Sequence, residues 1–132
     1  MNYYFTTKYS GNFEDAVTHV KALLKDEGFG VLTEINIQKT LKEKLNVDFK
    51  KYIILGACNP SFAYKALQSE NKIGTMLPCN IILQEHDQNT VEVSSINPID
   101  SMQSVKNNAL LDIAKEVSNK LETVINNLKY EK

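Results

Sequence analysis

Two segments of the chain carry apolar residues at the three- and four-residue spacing of an amphipathic helix. The first follows Asn12 and ends at Gly28, a residue typical of the position just after a helix. The second extends over residues 104–128, which corresponds to a helix roughly 37 Å long at about 1.5 Å per residue. Its apolar stripe consists of Leu110, Ile113, Ala114, Val117, Leu121, Val124 and Leu128. Such a helix either lies diagonally across its own sheet or packs on a second subunit, and the pattern leaves both arrangements open.

Shorter apolar segments predict five β-strands, at residues 3–8, 31–37, 52–57, 79–85 and 90–96. Residues 52–57 show no alternation, which is typical of a strand covered on both faces. Asn59 and Pro60 then favour a helix start, because Asn caps free amides and Pro at the first helical position loses no hydrogen bond. A short helix is predicted around Leu41 and Leu45, and the polar turn at residues 87–89 joins the last two strands into a hairpin.

These elements predict a two-layer α+β fold with a mixed or antiparallel sheet of about five strands. Helices are expected mainly on one face of the sheet, with the long C-terminal helix among them. The 132 residues contain neither a linker-like composition nor an internal repeat. We therefore expect a single domain over residues 1–132.

Charge and composition exclude several classes of partner. The formal net charge is −1, so the chain has no global positive field that would attract nucleic acid. All 15 Lys/Arg residues are lysines, so no arginine is present to make bidentate contacts with phosphate. The near-apolar run at residues 52–58 is far shorter than the roughly 20 residues that span a bilayer. Residues 1–11 are too polar for a secretion signal. We therefore expect a cytoplasmic protein with reduced thiols, no nucleic-acid partner and no membrane partner.

The clearest chemical signal lies where the third strand turns into the next helix. Cys58 occupies this turn, directly before the capping residue Asn59, and free helix amides favour negative charge there, including a thiolate. The second cysteine, Cys79, follows Pro78 at the start of the next strand and precedes Asn80. If the two strands are neighbours, one rim carries both thiols and both amides. We therefore predict a ligand site formed by these five residues.

The two cysteines allow several interpretations. They fit a redox-switchable pair, a soft-metal site or the polar floor of a pocket. They also fit a purely structural role, because free cysteine is among the most buried residue types. A zinc site would have to draw its ligands from Cys58, Cys79, His19 and His86, but the cysteines form no C-x-x-C motif and both histidines are expected on the solvated surface. We therefore predict no metal site, and the cofactor is unknown.

Other charged residues point to structural or solvated roles. Glu34 and Glu85 are the nearest candidates for acid–base catalysis, but neither has an evident partner in the sequence. Glu14 and Asp15 fall in the first turn of the first helix, where negative charge favours the helix dipole. The lysines at positions 39, 42, 44, 50 and 51 are typical of a solvated face, and the chain contains no Gly-rich phosphate loop.

Four segments together resemble the family called domain of unknown function 302. They are residues 28–37 (GFGVLTEINI), 52–60 (YIILGACNP), 63–67 (AYKAL) and 73–81 (IGTMLPCNI). The resemblance covers nearly the whole chain and implies an α+β domain of a prokaryotic family with no established activity, as well as a homodimer. Members often carry an acid where this chain has Asn36, which puts any carboxylate role at that position in doubt.

Three functional hypotheses follow. The first is a small binding or sensing module whose ligand site is the Cys/Asn rim. The second is a thiol-dependent enzyme or redox protein that uses Cys58, and the third is a structural dimerisation module without a pocket. The placement of Cys58 and Cys79 discriminates among them, because the first two hypotheses require both thiols to lie near each other and to open to a cavity.

Overall fold

A computed structural model describes residues 2–130, with side chains for residues 2–128; Met1, Glu131 and Lys132, which belong to the predicted single domain, lie outside the described residues. The strands are Tyr4–Ser10 (β1), Gly30–Asn36 (β2), Tyr52–Cys58 (β3), Cys79–Asp87 (β4) and Thr90–Ile96 (β5). The helices are Phe13–Asp26 (α1), Ile37–Leu45 (α2), Pro60–Ser69 (α3), Pro98–Ser101 (α4) and Asn108–Tyr130 (α5), with a 3-10 turn at Ile73–Met76.

The five strands form one sheet in the order β1-β5-β4-β3-β2. Every neighbouring pair is antiparallel, so the predicted α+β fold is confirmed and its sheet is antiparallel. Because β3 and β5 both run opposite to β4, their C-terminal ends lie at the same end of the sheet as the beginning of β4. Cys58, Cys79 and the start of α4 lie at this end of the sheet.

The core lies between one face of the sheet and the helices α1 and α5. Leu55, Ile81, Leu83 and Val93 point from the strands into this core and are fully buried. The C-terminal half of α5 buries the stripe residues Leu121, Val124 and Leu128 in the same core. The long helix therefore lies across its own sheet, which is one of the two arrangements left open by the sequence.

Asparagine side chains cap four of the helices. Asn12, Asn36, Asn59 and Asn97 accept a hydrogen bond from an amide in the first turn of α1, α2, α3 and α4, respectively. At Asn36 the accepted bond comes from the Lys39 amide at 3.0 Å. Asn36 therefore has a structural role at the start of α2.

Several element bounds differ from the sequence prediction, and the short helix α4 was not predicted. Helix α5 begins at Asn108 rather than near residue 104, and the side chain of Asn107 accepts a hydrogen bond from the Ala109 amide at its start. In β2, a register shift between Val31 and Thr33 inserts Leu32 as an extra residue, so side chains do not alternate regularly along the whole strand. None of the described helices is both long and apolar enough to cross a membrane.

Candidate functional site

A cavity of about 220 Å³ lies at the end of the sheet where β3 and β5 end and β4 begins. Almost all of its lining atoms are apolar. The lining side chains come from the strand ends and from the region of α3, α4 and α5. They are Phe29, Leu32, Ala57, Cys58, Asn59, Phe62, Ala63, Ala66, Leu77, Pro78, Cys79, Pro98, Met102, Ile113, Ala114 and Val117. Segments that are distant in sequence therefore meet around one partly open, apolar cavity.

The structure brings four of the five sequence-predicted site residues together. Cys58, Asn59, Pro78 and Cys79 all line this cavity. Asn80 lies elsewhere: it lines a shallow groove on the opposite face of the sheet, beside Tyr3, Tyr4 and Gln84. The reason is the alternation of side chains along a strand, which turns Asn80 away from the face that Cys79 occupies.

Small side chains create the space in the cavity. Ala57 on β3, Ala63 and Ala66 on α3, and Ala114 on α5 all face it, and each ends at a single methyl group. The sequence prediction missed Ala63, Ala66 and Ala114 as site residues. The α5 stripe did show that Ala114 faces the core, but an apolar stripe does not identify the helix that packs against it.

Cys79 is a buried, protonated thiol. Its side chain is 9% exposed, and desolvation by burial, followed by the nearby Cys58, raises the pKa of its thiol to about 11. Neither cysteine forms a disulfide, and among residues 2–128 neither thiol has a hydrogen-bond partner. At neutral pH Cys79 therefore acts as a small, nearly apolar wall of the cavity.

The raised pKa of Cys79 predicts a loss of stability in alkaline solution. An unfolded thiol ionises from about its ordinary value of 9.0, whereas the folded thiol stays protonated to about 11. The free energy of unfolding is therefore unaffected by this group below pH 9 and falls by up to about 2–3 kcal/mol as the pH rises to 11. Urea denaturation of the wild type, Cys79→Ala and Cys58→Ala at pH 8, 9 and 10 measures this effect. Cys79→Ala should remove this pH dependence, whereas Cys58→Ala should keep most of it, because burial is the larger cause of the raised pKa; an unchanged dependence in Cys79→Ala would contradict the assignment.

Cys58 and Asn59 are the lining residues that carry a partly exposed thiol and a side-chain amide. Cys58, the last residue of β3, is half-buried. The Oδ1 atom of Asn59 accepts a hydrogen bond from the Phe62 amide at 3.4 Å, which caps α3. Its Nδ2 atom donates no hydrogen bond to any described residue, and it lies 2.9 Å from the point where a Cβ on Gly28 would sit. Gly28 has a φ of 87°, a backbone conformation that favours glycine. Because Gly28 has no side chain, it also leaves room for the side-chain amide of Asn59.

The histidines lie away from the cavity. His19 Nδ1 is 2.8 Å from the hydroxyl of Tyr9 on β1, and His86 Nε2 is 2.5 Å from the Glu92 carboxylate on β5. His86 is solvent-exposed, but His19 is half-buried, so the expected surface position holds for His86 alone. Within the described part of the chain, no three His, Cys, Asp or Glu side chains are placed to hold a metal ion.

The two candidate carboxylates, Glu34 and Glu85, and the helix-start residue Glu14 also lie outside the cavity. Glu34 forms an exposed ion pair with Lys21 at 2.7 Å. Glu14 pairs with Lys51 at 3.1 Å, and the hydrogen bond from Lys51 holds the pKa of Glu14 below its ordinary value. Exposed pairs of this kind contribute little to stability. The cavity therefore contains thiol and amide groups, and among the described residues no carboxylate or imidazole lines it.

Comparisons with known proteins agree with the fold. The family model described as "Domain of unknown function DUF302" matches residues 5–128. The crystal structure of an uncharacterized conserved protein DUF302 from Bacillus stearothermophilus is similar to this chain with a TM-score of 0.87 and 26% sequence identity, over 96% of this chain and 98% of that chain. A search of curated proteins found no match. The matches support the fold and carry no description of an activity.

Proposed function

Because the chain belongs to the DUF302 family, whose description assigns no activity, we propose a function from the cavity itself: the protein is a small binding module for a compact apolar ligand. The observation that carries this proposal is the partly open cavity of about 220 Å³ with an almost wholly apolar lining. The thiols and the amide from the Cys/Asn rim lie in the same lining. The proposal takes the protein to be cytoplasmic, where both thiols stay reduced.

The size and lining of the cavity favour a ligand of modest size. A dry apolar cavity of about 150 Å³ accommodates benzene, so a cavity of about 220 Å³ leaves room for a substituted benzene ring. Transfer from water contributes about 0.8 kcal/mol for each buried CH₂ group. The atoms that line such a cavity lack contacts that they would make in a fully packed interior. A bound ligand supplies these contacts.

Propylbenzene is a suitable probe because it has an apolar body and no polar group. We expect it to bind the wild-type protein saturably and to shift the NMR signals of the amides around the cavity, those of Cys58, Ala66, Cys79 and Ala114 among them. Signals from the hairpin turn near Asn89 serve as an internal control and should not move. A titration without saturation, or with shifts spread over the surface, would contradict the proposed function.

The thiol-dependent redox alternative has weaker support. A disulfide exchange step needs a thiolate, and burial raises the pKa of Cys79 to about 11. The second cysteine of the pair is therefore poorly suited to exchange at neutral pH. The homodimer stays a prediction, and binding in the cavity does not depend on it.

A further inference from the structure

The face of the sheet opposite the core carries a row of apolar side chains. Ile35 on β2 is the register partner of Ile54 on β3, and Ile54 is the register partner of Ile82 on β4, so all three side chains lie on the same face. Helices α1 and α5 pack on the other face, together with the core residues of the strands. An antiparallel sheet that meets solvent on one face normally carries polar side chains there. Three neighbouring isoleucines indicate that this face meets a second apolar surface.

Exposed apolar residues after β2 extend this row beyond the sheet. Leu45 is 66% exposed, and Val47 and Phe49 are exposed in the same groove beside α2. The ring of Phe49 lies 6.2 Å from the ring of Tyr52, which is two positions before Ile54 on β3 and therefore points to the same face. Together these side chains form the open-face patch, which consists of Ile35, Leu45, Val47, Phe49, Tyr52, Ile54 and Ile82.

Helix α2 is the element that most needs additional packing. None of its nine residues, all of which the structure describes, is buried. Its apolar residues Ile37, Leu41 and Leu45 recur at a spacing of four and form one stripe. Isolated helices shorter than about 12–15 residues are marginal in water, and helices in proteins are stabilised mainly by packing of an apolar face. The stripe of α2 therefore needs more cover than a single chain gives it.

We propose that the open-face patch is the interface between two copies of this chain, related by a two-fold axis. Such an interface brings the same patch of both copies together, so the patch must be complementary to itself. The open-face patch meets this requirement, because it joins a flat sheet face without a helix layer to the end of an apolar helix stripe. Helices and sheets bury their apolar sides against each other in stable folds. Helix α2 of each copy therefore fits against the sheet face of the other copy.

The size and the margin of this face suit a dimer. Five strands of seven to nine residues present a face of roughly 550 Å², at about 4.8 Å between strands and about 3.3 Å per residue. A standard interface takes about 800 Å² from each partner, and residues 45–49 enlarge the sheet face toward this value. From Tyr52, the register continues across the sheet through the polar residues Gln84, Glu92 and Lys8. An apolar centre with a polar rim is typical of interfaces.

A charge in the patch should weaken the dimer. We expect the wild-type protein to sediment in the micromolar range with twice the chain mass of 14.9 kDa. Leu45→Lys places an ammonium group in the interface, and the dimer dissociation constant should rise at least about tenfold. Because Leu45 is exposed in the single chain and lysine is favourable in the last turn of a helix, the variant should stay folded. Sedimentation equilibrium measures the dissociation constant, and circular dichroism checks the fold.

Two further variants complete the experiment. Leu67→Lys makes the same change in the last turn of α3, where Leu67 is 43% exposed and lies outside the patch; it should dimerise as the wild type does. Val47→Lys changes the patch between α2 and β3 without altering a helix or a strand, and it should weaken the dimer even if Leu45→Lys does not fold. Because no patch residue lines the cavity, Val47→Lys should bind propylbenzene with wild-type affinity.

Hydrogen exchange tests whether α2 takes part in the interface. We expect the amides of α2 to exchange faster when the protein is diluted below its dissociation constant, because the helix then loses its cover. The amides of α1, which packs in the core of each copy, should exchange at an unchanged rate.

Three results would overturn the inference. The first is a wild-type chain that stays monomeric throughout the micromolar range, which would be the result if the patch served a different protein. The second is a dimer that Val47→Lys and a folded Leu45→Lys both leave intact, because such a dimer would use another face. The third is equal weakening by Leu67→Lys. None of these results would affect the proposed ligand binding, which propylbenzene tests separately.

Discussion

Replacement of Ala114 by leucine should abolish binding of propylbenzene while the protein stays folded. Ala114 is 1% exposed and faces the cavity from α5, so a larger side chain occupies the space proposed for the ligand. We expect the affinity for propylbenzene to fall at least about tenfold, the equivalent of about 1.4 kcal/mol. Filling a cavity commonly stabilises a protein by about 0.5–2 kcal/mol. The NMR titration measures the affinity, and urea denaturation measures the stability.

The same substitution at an exposed position of α5 is a matched control. Ala109 is solvent-exposed, and Ala109→Leu should bind propylbenzene as the wild type does. If Ala114→Leu proves too large to fold, Ala63→Leu narrows the cavity from the half-buried side of α3 and should weaken binding in the same way. Wild-type affinity in a folded Ala114→Leu variant would place the ligand outside the cavity.

Replacement of Gly56 by alanine should strongly destabilise the fold. A Cβ at this position would collide with the Thr33 hydroxyl from β2 and would lie 2.8 Å from Cγ of Pro78. Overpacking of this kind typically costs about 1–3 kcal/mol. We therefore expect the free energy of unfolding to fall by this amount in urea denaturation. Because Pro78 lines the cavity, the affinity for propylbenzene should fall as well.

Gly30 provides the matched control for Gly56. It also belongs to a strand of the sheet, but a Cβ at Gly30 would meet nothing within 4 Å. Gly30→Ala should be neutral or stabilise the protein by up to about 1 kcal/mol, because alanine restricts the unfolded chain. Equal stability of Gly56→Ala and Gly30→Ala would show that Thr33 and Pro78 do not pack against β3 as described.

Local signals predicted the elements that build the site. The Asn59-Pro60 pair identified the start of α3, because capping and the missing amide of proline act within a few residues. The alternation along β4 also contained the information that Cys79 and Asn80 face opposite sides. Asn80 adjoins Cys79 in the sequence, but this alternation places its side chain on the other face of the sheet.

Long-range packing explains what the sequence could not predict. The cavity exists because α3 and α5 pack beside the end of β3 and the beginnings of β2 and β4, and these elements meet only when the whole sheet has formed. An apolar stripe such as that of Ala114 and Val117 identifies the buried face of a helix, but it does not identify the element that packs against this face. The extra residue Leu32 in β2 likewise depends on pairing with β3.

The most direct measurement is a crystal structure of the wild-type protein soaked with propylbenzene. We predict electron density for the ring inside the cavity, in contact with Phe62, Cys79 and Ile113, which line it from α3, β4 and α5. An empty or water-filled cavity, with propylbenzene absent or bound only on the outer surface, would contradict the proposal that this protein is a binding module for a compact apolar ligand.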